Sequence, residues 1–201
     1  MIQRNMNNII WIGAIIVTSI TGCTQMGSYD RLVTSELAKG KKMDSLFLGI
    51  KFGMTSKEFY AHCWELNKQV VITDGLNNTS VLYKLDSVLE YPASMFFYPD
   101  FYDNKISKMK VSFKYDSWAP WNRKLFSDSL EPRVLGLLMK WYGGNDFLTI
   151  SDSLRGTVHV KVDGNRRIIV GKSNETDVKV DFSDLLVEKK IRKKHEQAGE
   201  K

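Results

Sequence analysis

Apolar residues recur with helical spacing in two segments of the chain. The first predicts a helix over 56–68, whose buried face consists of Phe59, Cys63 and Leu66. Thr55 and Glu58 form a capping box at its start, because each side chain can bond the other residue's backbone amide. The second helical region extends to about residue 142, with Pro132 marking a kink or a fresh start. Its apolar face comprises Leu130, Val134, Leu137, Leu138 and Trp141.

Short segments rich in β-branched and aromatic residues follow each helix, as is typical of strands. The clearest two-residue period is at 106–115, where four apolar residues alternate with lysine and serine. This alternation predicts a strand with one face in a core and one basic face in water. The expected strands are at 70–73, 79–85, 94–98, 106–115, 147–150, 158–162, 167–170 and 178–182.

The order of these elements is helix then four strands, twice, which predicts an α+β fold. Antiparallel sheet would pack against two main helices. Two arrangements remain open: tandem helix-plus-four-strand units at 46–117 and 118–186, or one continuous sheet covered by both helices. Asp163-Gly164-Asn165 is a strong hairpin turn between the sixth and seventh strands.

The amino-terminal residues carry the most specific signal in the chain. Arg4 precedes an apolar run over 9–17, and Ile20-Thr21-Gly22-Cys23 follows it. This is the pattern of a bacterial lipoprotein signal peptide, 1–22, cleaved between Gly22 and Cys23. The run is too short for a transmembrane helix, which needs about 20 residues. Cys23 would then carry the acyl chains, palmitate among them, that hold the protein in the membrane. An uncleaved short anchor or a plain secretory signal is the alternative.

Gln25 replaces the acidic residue that retains some lipoproteins in the inner membrane, so we expect an outer-membrane location facing the periplasm. Exposure at the cell surface is the alternative. Polar residues over 23–45 predict a tether between the lipid and the domain. A basic tail over 187–201 holds much of the formal net charge of +6, so we expect no nucleic-acid-binding face. The tail is interpreted as a solvated helix end or a disordered segment, with attraction to anionic lipid or an acidic partner as the alternative.

Few residues suggest chemistry. With Cys23 lipidated, Cys63 has no partner for an intramolecular disulfide, and we expect it to be buried. His62, His159 and His195 are far apart and match no metal-ligand spacing. No nucleophile elbow is present. We therefore expect no cofactor, no metal and no catalytic activity.

Two aromatic segments are candidates for a ligand or partner surface. Asp100, Tyr102 and Asp103 lie in a predicted loop dense in carboxylates and aromatic rings, as glycosidases and sugar-binding sites require. The alternative is a plain hairpin loop with its rings turned inward. Trp118 and Trp121 flank Pro120 in a second loop, where they could line an exposed groove.

The segment Gly53-Met54-Thr55-Ser56-Lys57-Glu58-Phe59, a capped helix entry soon after a lipidated cysteine, resembles the start of outer-membrane lipoproteins of the BamE (SmpA/OmlA) type. It also resembles the related β-lactamase inhibitor proteins. The resemblance implies helices packed on an antiparallel sheet and a role in binding other proteins. The chain lacks the Gly-x-Pro usual after the helix and is longer, so the partners of those families do not carry over.

These observations favour a membrane-anchored lipoprotein that acts as a non-catalytic binding or interaction module in the bacterial cell envelope. It would contact the membrane through Cys23 and bind another envelope protein or a ligand. The alternative is an envelope glycan hydrolase or carbohydrate-binding protein, with Asp100 and Asp103 as its acidic pair.

Overall fold

The structure is a computed structural model that describes residues 21–75, 79–152 and 156–199. Most of the predicted signal peptide, 1–20, therefore lies outside the described residues. The helices are α1 (Thr21–Ala38), α2 (Ser56–Lys68), α3 (Ser127–Tyr142) and α4 (Leu185–Gly199). The strands are β1 (Ile72–Asp74), β2 (Val81–Lys84), β3 (Ala93–Tyr102), β4 (Lys105–Tyr115), β5 (Leu148–Asp152), β6 (Gly156–Asp163), β7 (Arg166–Lys172) and β8 (Asp177–Asp184).

The strands form one open antiparallel sheet, which confirms the predicted α+β class. Their order is β1-β2-β3-β4-β8-β7-β6-β5, so each run of four strands is a meander and the two meanders join through β4 and β8. The junction is regular and pairs Lys108 with Ser183 at one end and Lys114 with Asp177 at the other. The chain therefore builds one continuous sheet.

The main core lies between the sheet and helices α2 and α3. The capping box of α2 is present as predicted, with the Thr55 and Glu58 side chains each bonded to the other's backbone amide. On β4 the predicted alternation is confirmed, because its apolar residues are buried and its lysines are not. α3 begins at Ser127 and is continuous through Pro132, so no new helix starts at the proline. Central core residues are Phe59, Met109, Val111, Phe113, Leu130, Val134, Leu138, Val180 and Phe182.

Two further helices modify the expectation of two. The segment interpreted as a tether, 23–45, contains most of α1, and the segment interpreted as a basic tail, 187–201, forms most of α4. α1 covers the outer face of β5 and β6, where a second apolar cluster is buried. That cluster joins Ile150, Val158, Val160, Val162 and Leu185 to Tyr29, Leu32, Val33 and Leu37. The apolar side chains of α1 thus pack on a surface that forms only when β5 and β6 pair.

The predicted loop around Asp100 is part of a long hairpin. β3 continues to Tyr102 and turns at Asp103 and Asn104, whose φ angles of 48° and 59° are those of a tight type I′ turn. Pro99 is tolerated because β2 stops pairing at Phe97, so this part of β3 is an edge that needs no amide donor on that side. The candidate residues Asp100 and Tyr102 therefore project from a strand.

A buried polar network joins α1, the segment after α3 and the β6–β7 turn. The Glu36 carboxylate accepts hydrogen bonds from the Gly164 amide at 2.9 Å and from Asn145 Nδ2 at 2.8 Å. Asp163 accepts from the Asn145 amide at 2.8 Å and lies 3.1 Å from Lys161 Nζ. These bonds fix the carboxyl end of α1 against the sheet.

Candidate binding surface

The face of the sheet opposite α3 is covered by α1 over β5 and β6, and the rest of it is called the open face. The strand register places the side chains of the open face in rows. One row is Phe96, Ser112, Lys179 and Gly171, taken across β3, β4, β8 and β7. The next row is Tyr98, Lys110, Asp181 and Ile169. Because successive residues of a strand alternate between faces, these rows turn away from the main core. They give the open face a mixture of aromatic, small and charged side chains.

A groove of about 630 Å³ lies across these rows. Its middle strands contribute small side chains at Ser112 and Gly171, which leaves a depression between Phe96 and Tyr98 on one side and Val158 on the other. A Cβ atom added to Gly171 would lie 3.1 Å from Val158 Cγ1, so β7 and β6 approach closely there. This volume is in the range of ligand pockets, about 300–1,000 Å³.

Lysines dominate the charge of the groove. Lys110, Lys172 and Lys179 line it together with a single acidic residue, Asp181. Lys110 lies 2.9 Å from Asp100, and Lys172 pairs with Asp128. Among the described residues, the side chain of Lys179 has no hydrogen-bond or ion-pair partner, although its backbone pairs with β4 and β7. The groove therefore offers a cation beside aromatic surface.

The two carboxylates that the sequence suggested as a pair bind different lysines. Asp100 projects from β3 and pairs with Lys110 on the neighbouring strand. Asp103 lies in the β3–β4 turn and its carboxylate is 3.4 Å from Lys190 on α4. Lys190 Nζ also lies 5.6 Å from the centre of the Tyr102 ring. Neither carboxylate lines the groove.

The two tryptophans of the second candidate segment differ in environment. Trp118 packs on the core, with its ring centre 5.7 Å from that of Phe126. Its Nε1 is buried and has no hydrogen-bond partner in the described chain. Trp121 is 84% exposed, and neither tryptophan lines the groove on the open face.

No family model, curated protein or solved structure matches this chain. Within the described residues there is no group of three or more histidine, cysteine, aspartate or glutamate side chains able to hold a metal ion. None of the described helices combines the length and apolar character needed to cross a membrane. The site must accordingly be interpreted from its own geometry.

Cys63 and the histidines take structural positions. Cys63 is half-buried against the main core, and burial raises the pKa of its thiol to about 11. The reactive thiolate is therefore scarce at neutral pH. His62 Nε2 lies 2.6 Å from the Leu48 carbonyl oxygen, and His159 Nδ1 lies 3.1 Å from the Thr149 hydroxyl.

A second pocket, of about 480 Å³, opens beside Arg166 on the face of the sheet that α3 covers. Arg166 is 2% exposed, donates to the Ser45 carbonyl at 2.8 Å and lies over the Tyr142 ring. Asp163 Oδ2 is only 3.7 Å from Arg166 Nη2, so an anion entering the pocket would meet a carboxylate. These contacts indicate that Arg166 fixes the segment around Ser45.

Sequence reasoning missed the groove although it found one of its strands. The lysines of β4 were visible as a basic strand face, but Phe96, Tyr98, Gly171, Lys179 and Asp181 carried no signal of their own. They meet only through the pairing of β4 with β8, which joins residues more than sixty positions apart in the chain.

Proposed function

We propose that this chain is a lipid-anchored, non-catalytic binding module of the bacterial cell envelope, and that the groove on the open face binds another envelope protein. The observation that carries this proposal is the groove itself, where aromatic side chains border a cluster of lysines. Aromatic residues with a polar handle are enriched at protein interfaces. The lipoprotein pattern ending at Cys23 supplies the location.

Charge in the groove specifies the partner's chemistry. Three lysines and one aspartate favour a partner segment with acidic side chains, and Phe96 and Tyr98 favour an apolar side chain beside them. A stable protein interface involves about 20–30 residues on each partner, more than the 14 that line the groove. The partner would therefore extend over the neighbouring rows, including Asp100 and Lys108.

The positions of Asp100 and Asp103 count against the glycan hydrolase alternative. A glycosidase needs two carboxylates facing one bond, about 5–10 Å apart across a cleft. Here each carboxylate is paired with a different lysine, and Asp103 lies in a turn. This arrangement favours a surface that binds without chemistry.

We also propose that the fold consists of two equivalent units. α2 precedes β1 to β4 and α3 precedes β5 to β8, and the sheet order reads the same from either edge to the junction. The groove then lies across the junction of the two units, because most of its residues come from β3, β4, β8 and β7.

Anchoring predicts a simple fractionation result. The Cys23→Ala variant is expected to move from the membrane fraction to the soluble fraction, because it cannot receive the acyl chains. Mass spectrometry of the unaltered protein should show cleavage before Cys23 and added acyl groups. Retention of the alanine variant in the membrane would refute anchoring through Cys23.

Charge reversal in the groove tests binding. A photo-crosslinking amino acid at Ser112 is expected to capture an envelope protein in intact cells. The double variant Lys110→Glu, Lys179→Glu should reduce that capture about tenfold or more, because reversed charges repel an acidic partner. Both lysines are exposed, so the fold should be retained and can be checked by circular dichroism.

The matched control is Lys57→Glu, Lys124→Glu, which makes the same charge change at exposed positions outside the groove. The control should leave the Ser112 crosslink unchanged. Equal loss in both double variants, or capture that neither variant alters, would contradict docking in the groove.

A further inference from the structure

Helices α1 and α4 contribute residues to a common groove, and their contacts with the β6–β7 hairpin indicate that they run in opposite directions. Glu36 on α1 accepts from the Gly164 amide, and the Leu185 amide at the start of α4 donates to the Asn165 carbonyl, so both contacts are at the β6–β7 turn. Farther along β7, Arg167 donates to the Tyr29 hydroxyl at 3.1 Å and to Glu188 Oε1 at 2.8 Å.

These contacts define the direction of each helix. Between the β6–β7 turn and Arg167, residue numbers decrease along α1, from Glu36 to Tyr29. Over the same distance they increase along α4, from Leu185 to Glu188. The amino end of α1 and the carboxyl end of α4 therefore point to the same end of the molecule.

Helical rise places Cys23 and the lysines of α4 at similar distances beyond Arg167, measured along the two helices. Cys23 precedes Tyr29 by six residues, a distance of about 9 Å along α1 at 1.5 Å per residue. Lys193 follows Glu188 by five residues, about 8 Å along α4. Both distances extend from Arg167 toward the same end and differ by only about 1 Å, so Cys23 and Lys193 lie at a similar level.

The exposed residues of α4 carry an excess of positive charge. Lys189, Lys193 and Lys194 are exposed, and in the described part of the chain none of them has an ion pair. Asp30 of α1 lines the same groove as Lys189, whereas the other acidic side chains nearby are already paired. Glu188 pairs with Arg167 and Lys108, Glu196 lies 3.9 Å from Arg192, and Asp103 lies 3.4 Å from Lys190.

We propose that the basic face of α4, defined by Lys189, Lys193 and Lys194, binds the anionic phospholipid headgroups of the membrane that holds Cys23. This inference rests on the proposed lipid anchor. Lysines within reach of an anionic bilayer are attracted to its surface, and three of them add usefully to a lipid anchor. The anchor alone would leave the domain free to rotate, whereas this second contact fixes the α1–α4 end against the membrane.

Vesicle sedimentation of the unlipidated mature chain, carrying Cys23→Ala, isolates this contact from the anchor. The protein is expected to bind phosphatidylglycerol-containing vesicles about tenfold more strongly than pure phosphatidylcholine vesicles, and to lose the difference at high salt. The triple variant Lys189→Gln, Lys193→Gln, Lys194→Gln should lose about tenfold or more of that binding. A control triple, Lys57→Gln, Lys124→Gln, Lys140→Gln, removes the same charge from other exposed positions and should retain it.

Equal binding by the two triple variants would overturn the inference, since the effect would then follow net charge alone. Absence of binding to anionic vesicles at low salt would also overturn it. If soluble polyglutamate bound the protein as strongly as the anionic vesicles do, the face would be assigned to an acidic protein instead. The lipid anchor is tested separately, by mass spectrometry of Cys23 in the natural protein. The vesicle assay uses the Cys23→Ala chain, so its result does not depend on whether Cys23 is lipidated.

Discussion

Replacing Asp163 with alanine is expected to lower the free energy of unfolding by about 3–5 kcal/mol, because it leaves two buried cations without their shared counterion. Lys161 is fully buried and Arg166 is 2% exposed. Asp163 Oδ2 lies 3.1 Å from Lys161 Nζ and 3.7 Å from Arg166 Nη2. The other carboxylate oxygen accepts from the Asn145 amide, so the substitution also removes a buried hydrogen bond.

Urea unfolding monitored by tryptophan fluorescence measures this effect. Asp163→Asn keeps the shape of the side chain and an acceptor for the Asn145 amide. The stability that this variant loses therefore measures the contribution of the charge alone. Asp100→Ala is the matched control, because it removes an aspartate from an exposed pair with Lys110 and should change stability little. If Asp163→Ala proved no more destabilising than Asp100→Ala, the buried network would not depend on its carboxylate.

Gly144 shows how closely Asp163 is held. Its φ angle is +75°, and an added Cβ atom would overlap Asp163 Oδ1. Gly143 and Gly144 directly follow Tyr142, the last residue of α3, and end the helix. In the structure Gly144 has the additional role of letting the chain pass the carboxylate that the Asn145 amide binds.

Local patterns were sufficient for the elements whose partners are nearby in the chain. The capping box at Thr55, the alternation on β4 and the turn at Gly164 each depend on a few consecutive residues. β6 shows where such reasoning ends. His159 and Lys161 alternate with valines and would be expected in water, yet they lie on the α3 side because α1 covers the valine side.

The open-face groove and the α1–α4 pair could not be predicted for the same physical reason. Each requires contacts between residues far apart in the chain, such as Ser112 with Lys179 or Glu36 with Gly164. The apolar positions of α1 are few, and their significance depends on Val158 and Val160 being presented by β6. A short amphipathic segment therefore resembles a tether until its partner surface is assembled.

Glu36 should make stability depend on acid pH. It is 5% exposed, and although burial raises its pKa, hydrogen bonds from the Gly164 amide, Lys39 and Asn145 outweigh this and lower the pKa to about 2 from 4.5. Because the folded-state pKa is depressed, this stabilisation is fully present above the unfolded pKa and is lost as pH falls from about 5 to about 2. The shift corresponds to about 3 kcal/mol at neutral pH.

Glu36→Gln is expected to remove about 2–3 kcal/mol of stability at neutral pH, because the amide cannot provide the negative charge that these three donors bind. The difference between the unaltered protein and the variant should shrink through the same acid range and vanish near the folded pKa. Urea unfolding at a series of pH values measures it, and Glu65→Gln, at an exposed residue of α2 paired with Lys68, is the control. A difference that stays constant with pH would show that packing, and not charge, accounts for Glu36. Since Glu36 holds α1 to the sheet, its protonation should also increase hydrogen exchange across α1 before the main core is affected.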